Sequence, residues 1–185
     1  MYREAEKQLK SSLKNEDIVK THLQLAKVFI KLDQPNTALE ILGQALNKYP
    51  YEISFLIGLA RIHDMLNESI KAVDLYKRAL SVESSNLEAV ASIASFHFYT
   101  DQPEIALRFY KRLVQLGVHS AEIWNNLALC CFHDGQYDLF YTCFEKALEL
   151  ADESNIADIW YNMSQVIFTY KLLLNPSRWQ LLLVI

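Results

Sequence analysis

Glycine and proline are scarce, with four of each in 185 residues. Sandwiches and doubly wound sheets need many special turns, so the shortage points to long helices joined by short connections. Cysteine occurs only at Cys130, Cys131 and Cys143. An odd number without framework spacing builds no disulfide scaffold, and two adjacent thiols do not reproduce a Cys-x-x-Cys metal pair. All three read as buried apolar thiols. The opening MYREAEKQLK carries no signal-peptide core, which together with free thiols is expected of a reducing compartment such as the cytoplasm.

No apolar run reaches the roughly 20 residues that a membrane helix needs. The longest candidate, VIFTYKLLLNPSRWQLLLVI, is interrupted by Lys171, Asn175, Pro176 and Arg178, so direct membrane insertion is not expected. Blocks of like charge are absent too. A net charge of −4 without a basic stretch offers nucleic acid no concentrated cationic face. Catalytic and cofactor signatures are missing as well: there is no Ser/His/Asp set, no Gly-rich phosphate loop and no metal-spaced cluster. The chain therefore reads as a non-enzyme with no catalytic, metal or cofactor-binding residues.

What the chain does contain is apolar material, 51% of its residues, arranged with a period. KLDQPNTALEIL at Lys31 has a near-copy in YTDQPEIALRFY at Tyr99, 68 residues on, or twice 34. Rows of 34 starting at Val19, Ile53, Leu87 and Ala121 align without a gap. The seventh position holds Leu25, Leu59, Ile93 and Leu127, and the eighth is always small: Ala26, Ala60, Ala94 and Ala128. The eleventh holds Phe29, His63, His97 and Cys131. Spacings of three and four mark amphipathic helices, two to a row. A residue larger than Ala at the eighth position would push two close helices apart.

The Asp-Gln-Pro phrase falls between the two helices of a row, where Asn67-Glu68-Ser69 and Gly135-Gln136-Tyr137 stand in the other rows. It reads as punctuation, an exposed turn whose Asp, Asn or Gly leaves one helix and caps the next. His63 and His97 read as packed, hydrogen-bonded core histidines, because no third ligand shares their stripe.

A 34-residue helix–turn–helix period with these large, small and aromatic marks resembles the tetratricopeptide repeat family, most fully in WNNLALCCFHDGQYDLFYTCFEKAL from Trp124 to Leu148. The expected fold class is all-α: a tetratricopeptide-repeat α-solenoid, implied by the resemblance to be a right-handed superhelix of antiparallel helix pairs. The expected organisation is a second helix of an incomplete repeat at 1–18, repeats at 19–52, 53–86, 87–120 and 121–152, a first helix of a further repeat at 157–170, and an off-pattern apolar tail at 171–185. Asn175-Pro176 could open a short substitute helix over that end. Starting and stopping in mid-repeat is expected of a fragment or alternative product of a longer array.

The same resemblance implies a partner-binding groove lined by second, fifth, ninth and twelfth row positions. Here these are Lys20, Leu23, Lys27 and Ile30, then Ser54, Ile57, Arg61 and Asp64. The later rows supply Glu88, Ala91, Ser95 and Phe98, then Glu122, Asn125, Leu129 and Phe132. That groove mixes basic charge early with aromatics late, which suits a peptide or helix with acidic and apolar faces. The alternative is that these residues pack against other parts of a longer superhelix. Apolar Leu23 and Ile57 at fifth positions do not suit capture of a terminal carboxylate, the co-chaperone mode.

MYREAEKQ, HFYTDQPEIALRFYKRL, NNLALCCF, QYD and DIWYN look like the family of the eighth Bardet–Biedl syndrome protein, a tetratricopeptide subunit of the BBSome, over about residues 1–168. That resemblance implies a scaffold supporting ciliary membrane-protein trafficking and cilium assembly. Sister BBSome subunits, including another tetratricopeptide protein, would be its partners. Its places would be the cytoplasm, cilium, ciliary basal body and centriolar region. The alternatives are the repeat arm of a larger enzyme, such as a glycosyltransferase, and a co-chaperone adaptor.

Overall fold

The structure is a computed structural model that describes residues 2–15 and 19–174. Among the described residues there are ten α-helices and no strand. A leading helix, α1 (Tyr2–Asn15), is followed by α2 (Val19–Lys31) and α3 (Pro35–Lys48). Next come α4 (Ile53–Met65), α5 (Ser69–Val82), α6 (Leu87–Tyr99) and α7 (Pro103–Gln115). The order ends with α8 (Ala121–His133), α9 (Tyr137–Leu150) and α10 (Ile156–Leu174). The chain forms two compact units, Met1–Phe96 and His97–Ile185.

The core follows the apolar stripes. Ala26, Ala60, Ala94 and Ala128 are all buried, as are Leu25, Leu59, Ile93 and Leu127 one position before them. In the first unit, α2 lies on α3 and α4 on α5; in the second, α8 lies on α9. A methyl group at the eighth position lets such helices approach while Leu42, Phe55, Tyr76, Phe140 and Phe144 fill the remaining space. Helix α1 adds to α2 partly through Lys10, whose ammonium sits 5.2 Å from the centre of the Phe29 ring while pairing with Glu6 at 2.7 Å.

The four joints after α2, α4, α6 and α8 share one backbone design, three residues long. Asp33, Asn67 and Asp101 have φ of 59°, 59° and 58°, and Gly135 has φ of 75°. The following amide reaches back to the helix: Gln34 N–H to Phe29 C=O, Glu68 to His63 and Gln102 to His97, each at 2.9 Å, and Gln136 to Cys131 at 2.8 Å. A second, shorter loop runs from Asn67 N–H to Asp64 C=O at 3.0 Å, with equivalents at Asp33, Asp101 and Gly135. This is the Schellman motif, in which one left-handed residue ends a helix.

The joints therefore differ in one respect from the expectation that Asp, Asn or Gly also caps the next helix. The N-cap residues are Gln34, Glu68, Gln102 and Gln136, and none caps with its side chain. Pro35 and Pro103 instead open α3 and α7, where the missing N–H costs no helix bond. Side-chain caps occur between the pairs: Glu52 accepts from Ser54 N–H at 3.2 Å, and Ser120 accepts from Ile123 N–H at 3.3 Å.

Helix α10 continues to Leu174, beyond the expected end of a first helix at 170. The rest of the expected apolar tail, with Asn175-Pro176, lies outside the described residues. No helix is long and apolar enough to cross a membrane among the described residues.

Candidate partner-binding site

In the first unit, α2 presents its fifth, ninth and twelfth row positions, and α4 its second, fifth and ninth, to one cavity of 330 Å³. Leu23, Lys27 and Ile30 line it from α2, and Ser54, Ile57 and Arg61 from α4, with Glu88 at its edge from α6. Seven candidate residues thus share one site. Ala26, Ile53, Gly58, Ile62 and Asn86 complete the wall, and Leu42 of α3 reaches in from behind. Gly58 belongs to this close approach, because a Cβ there would meet Leu42 Cδ1 at 3.1 Å and Leu23 Cδ2 at 3.3 Å. Sequence reasoning missed these lining residues; a glycine inside a helix, where it costs about 1 kcal/mol against alanine, was the available signal.

The floor is apolar and the rim is charged. Arg61 forms a two-pronged pair with Glu88, its Nε and Nη2 each donating to one carboxylate oxygen. That bond to Glu88 holds the guanidinium above its ordinary range, against the opposing effect of burial. The early groove therefore carries less free positive charge than its residue types suggest. Lys20 and Lys27 are exposed and make no ion pair among the described residues, and Lys20 lies off the cavity. Asp64 is turned to its own second helix, accepting from the Tyr76 hydroxyl at 2.9 Å. Burial pushes Tyr76 up to about 12, so it stays a neutral donor.

The third row's Ser95 and Ala91 are half-buried and line none of the cavities described here. In the second unit, Glu122 and Asn125 line a polar cavity of 350 Å³ with Asn126, Asn155, Asp158, Ile159, Tyr161 and Asn162. Its side chains form two hydrogen-bonded groups, the Asn155–Glu122 pair and a chain from Asn162 to Tyr110. Asn155 donates to Glu122 at 2.9 Å, Asn162 to Asn125 at 3.3 Å, Asn125 to Asn126 at 3.2 Å, and Asn126 to the Tyr110 hydroxyl at 3.3 Å. Glu122 is held below the usual carboxylate range by its own backbone N–H first, then by Ser120 and Asn155. Phe132 does not reach this cavity. It is buried against Tyr137 and Phe140, with ring centres at 5.7 and 6.0 Å. Leu129 is half-buried, and Phe98 lines a separate small cavity with Tyr99, Asp101, Pro103 and His133.

The two histidines, His97 buried and His63 partly buried, bond across their own joints. His63 Nδ1 lies 2.6 Å from Glu68 Oε2, and His97 Nδ1 lies 2.8 Å from Gln102 Oε1. Both pairs join the Schellman positions where an apolar contact is usual. Glu68 is lowered by its bonds to Lys71 and then His63. Cys130, Cys131 and Cys143 are all buried, and burial pushes Cys130 up to about 12. A thiol raised as Cys130 is makes a poor nucleophile, whereas Cys131 is lowered by its bond to Cys143. Among the described residues, no three His, Cys, Asp or Glu side chains gather as metal ligands.

Comparison with known proteins fits this geometry. A family model described as Tetratricopeptide repeat matches residues 121–154. Tetratricopeptide repeat protein 8 of Caenorhabditis elegans is 36% identical over 178 residues, 96% of this chain and 35% of that protein. Tetratricopeptide repeat protein 8 of Mus musculus is 56% identical over 69 residues, 37% of this chain and 13% of that protein. The chain thus spans about a third of a curated relative that it matches almost throughout. Among solved structures, YrrB, described as a TPR protein with an unusual peptide-binding site, superposes with a TM-score of 0.75 at 18% identity, covering 88% of this chain and 83% of that one. Period, joints and neighbours agree that this chain is a tetratricopeptide-repeat protein with an all-α fold.

Proposed function

We propose that the chain is a non-enzymatic interaction scaffold of the BBSome type, serving ciliary membrane-protein trafficking and cilium assembly. The observation that carries this reading is the 36% identity to Tetratricopeptide repeat protein 8 of Caenorhabditis elegans across 96% of the chain. The resemblance to the family of the eighth Bardet–Biedl syndrome protein, quoted above, supplies the complex and the place: sister BBSome subunits, in the cytoplasm and at the ciliary base. Repeats at 19–52, 53–86, 87–120 and 121–152 would supply the surfaces.

Within them, the apolar cavity between Leu23, Ile57 and Gly58, rimmed by Lys27 and the Arg61–Glu88 pair, is the proposed partner site of the first unit. It suits an apolar side chain flanked by an acidic group. The peptide-binding site named for YrrB supports reading such a face as a binding face. The apolar floor at Leu23 and Ile57 weighs against a chaperone-tail clamp.

The test is affinity purification of the tagged chain from ciliated cells, read by mass spectrometry. Recovery of BBSome subunits, weakened by Lys27→Glu together with Ser54→Trp, is the expected result. Recovery of chaperones or of an enzyme's catalytic domain without any BBSome subunit would overturn the reading.

A further inference from the structure

We propose that the joint between α6 and α7 is a docking slot for an arginine side chain presented by a partner protein. It lies wholly in the second unit and does not depend on the BBSome reading. Phe98, Tyr99, Asp101, Pro103 and His133 surround a cavity of 270 Å³. Tyr99 is 83% exposed, so its ring is open to a partner. Phe98 stands edge-on to both neighbours, 5.5 Å from Tyr99 and 6.3 Å from His133 between ring centres. The Asp101 carboxylate makes no hydrogen bond or ion pair among the described residues.

An open aromatic face beside a free carboxylate is complementary to a cation. Aromatic rings attract cations through their negative faces, and guanidinium is the cation that both stacks flat on a ring and donates to a carboxylate. The C-terminal end of α6 adds the negative pole of its dipole. A second acid, Asp134, beside His133, is already engaged by Gln136. Lysine fits less well, because its point charge gains nothing from stacking.

The molecule contains its own control. The α2–α3 joint has the same Asp-Gln-Pro letters and the same backbone, φ 59° at Asp33 against 58° at Asp101. Yet Ile30, Lys31 and Met65 stand there in place of Phe98, Tyr99 and His133. That joint has no aromatic face and supplies a lysine of its own, so it should not bind arginine.

The experiment is an NMR titration of the full chain with N-acetyl-arginine amide, following the aromatic resonances of Phe98, Tyr99 and His133. Saturable shifts at these three rings are expected, with none at the residues around Asp33. Asp101→Asn keeps the left-handed backbone and Tyr99→Leu keeps an exposed apolar group, so both variants should fold. Each should weaken binding about two- to fivefold, the worth of one exposed ion pair or cation–π contact. The proposal is overturned by any of three results: no saturable shift at the three rings, unchanged affinity in both variants, or N-acetyl-lysine amide binding as tightly as the arginine amide.

Discussion

Asn67 has φ of 59°, a conformation that β-branched residues tolerate poorly. Asn67→Val should destabilise the protein by about 1–2 kcal/mol, whereas Asn67→Gly should leave stability within a few tenths. Urea unfolding of the two variants separates them. Ala60 on α4 is fully buried, so Ala60→Trp should cost roughly 1–3 kcal/mol or more by overpacking, in the same assay. Its importance is readable from the sequence alone, because four small residues recur at one row position. Glu122 gives a pH test. Its folded value is lowered from 4.5, so its stabilisation is present above about 4.5 and fades as pH falls through and below that value. Melting temperatures between pH 6 and pH 3 should therefore fall less steeply in Glu122→Gln than in the parent.

Helices and joints show where sequence reading reaches its limit. The positions of α2 to α9 follow from spacings of three and four, which are local and carried by the chain itself. The pairing of Arg61 with Glu88 is not local: 27 residues separate them, and only the approach of α4 to α6 joins them. A row alignment marks both as candidate groove residues without saying that they neutralise each other. Phe132 fails as a surface residue for a related reason, since Tyr137 and Phe140 of α9 close over it. A double-mutant cycle on Arg61 and Glu88 should give a coupling of about 0.2–1 kcal/mol, because the two side chains are 57% and 36% exposed. A larger coupling would mean that the pair is more shielded than it looks. His97→Phe should be tolerated within about 1–1.5 kcal/mol, losing the Gln102 bond but keeping the ring stack on Phe109, whose centre lies 6.1 Å away.

Across the whole molecule, helix protection should be uneven. Helix α10 keeps Trp160, Tyr161 and Phe168 half or more exposed, while α8 buries Leu127, Ala128, Cys130 and Cys131. Hydrogen exchange should accordingly be faster in α10 than in α8, measured on the intact chain. Equal rates would show that α10 is held by something other than its buried face. Connection lengths carry a final lesson. Connections between successive pairs vary from four residues, after Lys48 and Val82, to five, after Gln115 and Leu150, whereas every joint within a pair has three. One extra residue in such a joint would rotate the following helix by about 100°, swinging its oily stripe from the interior toward water. Natural length drift in this architecture should accumulate between hairpins and be purged from within them.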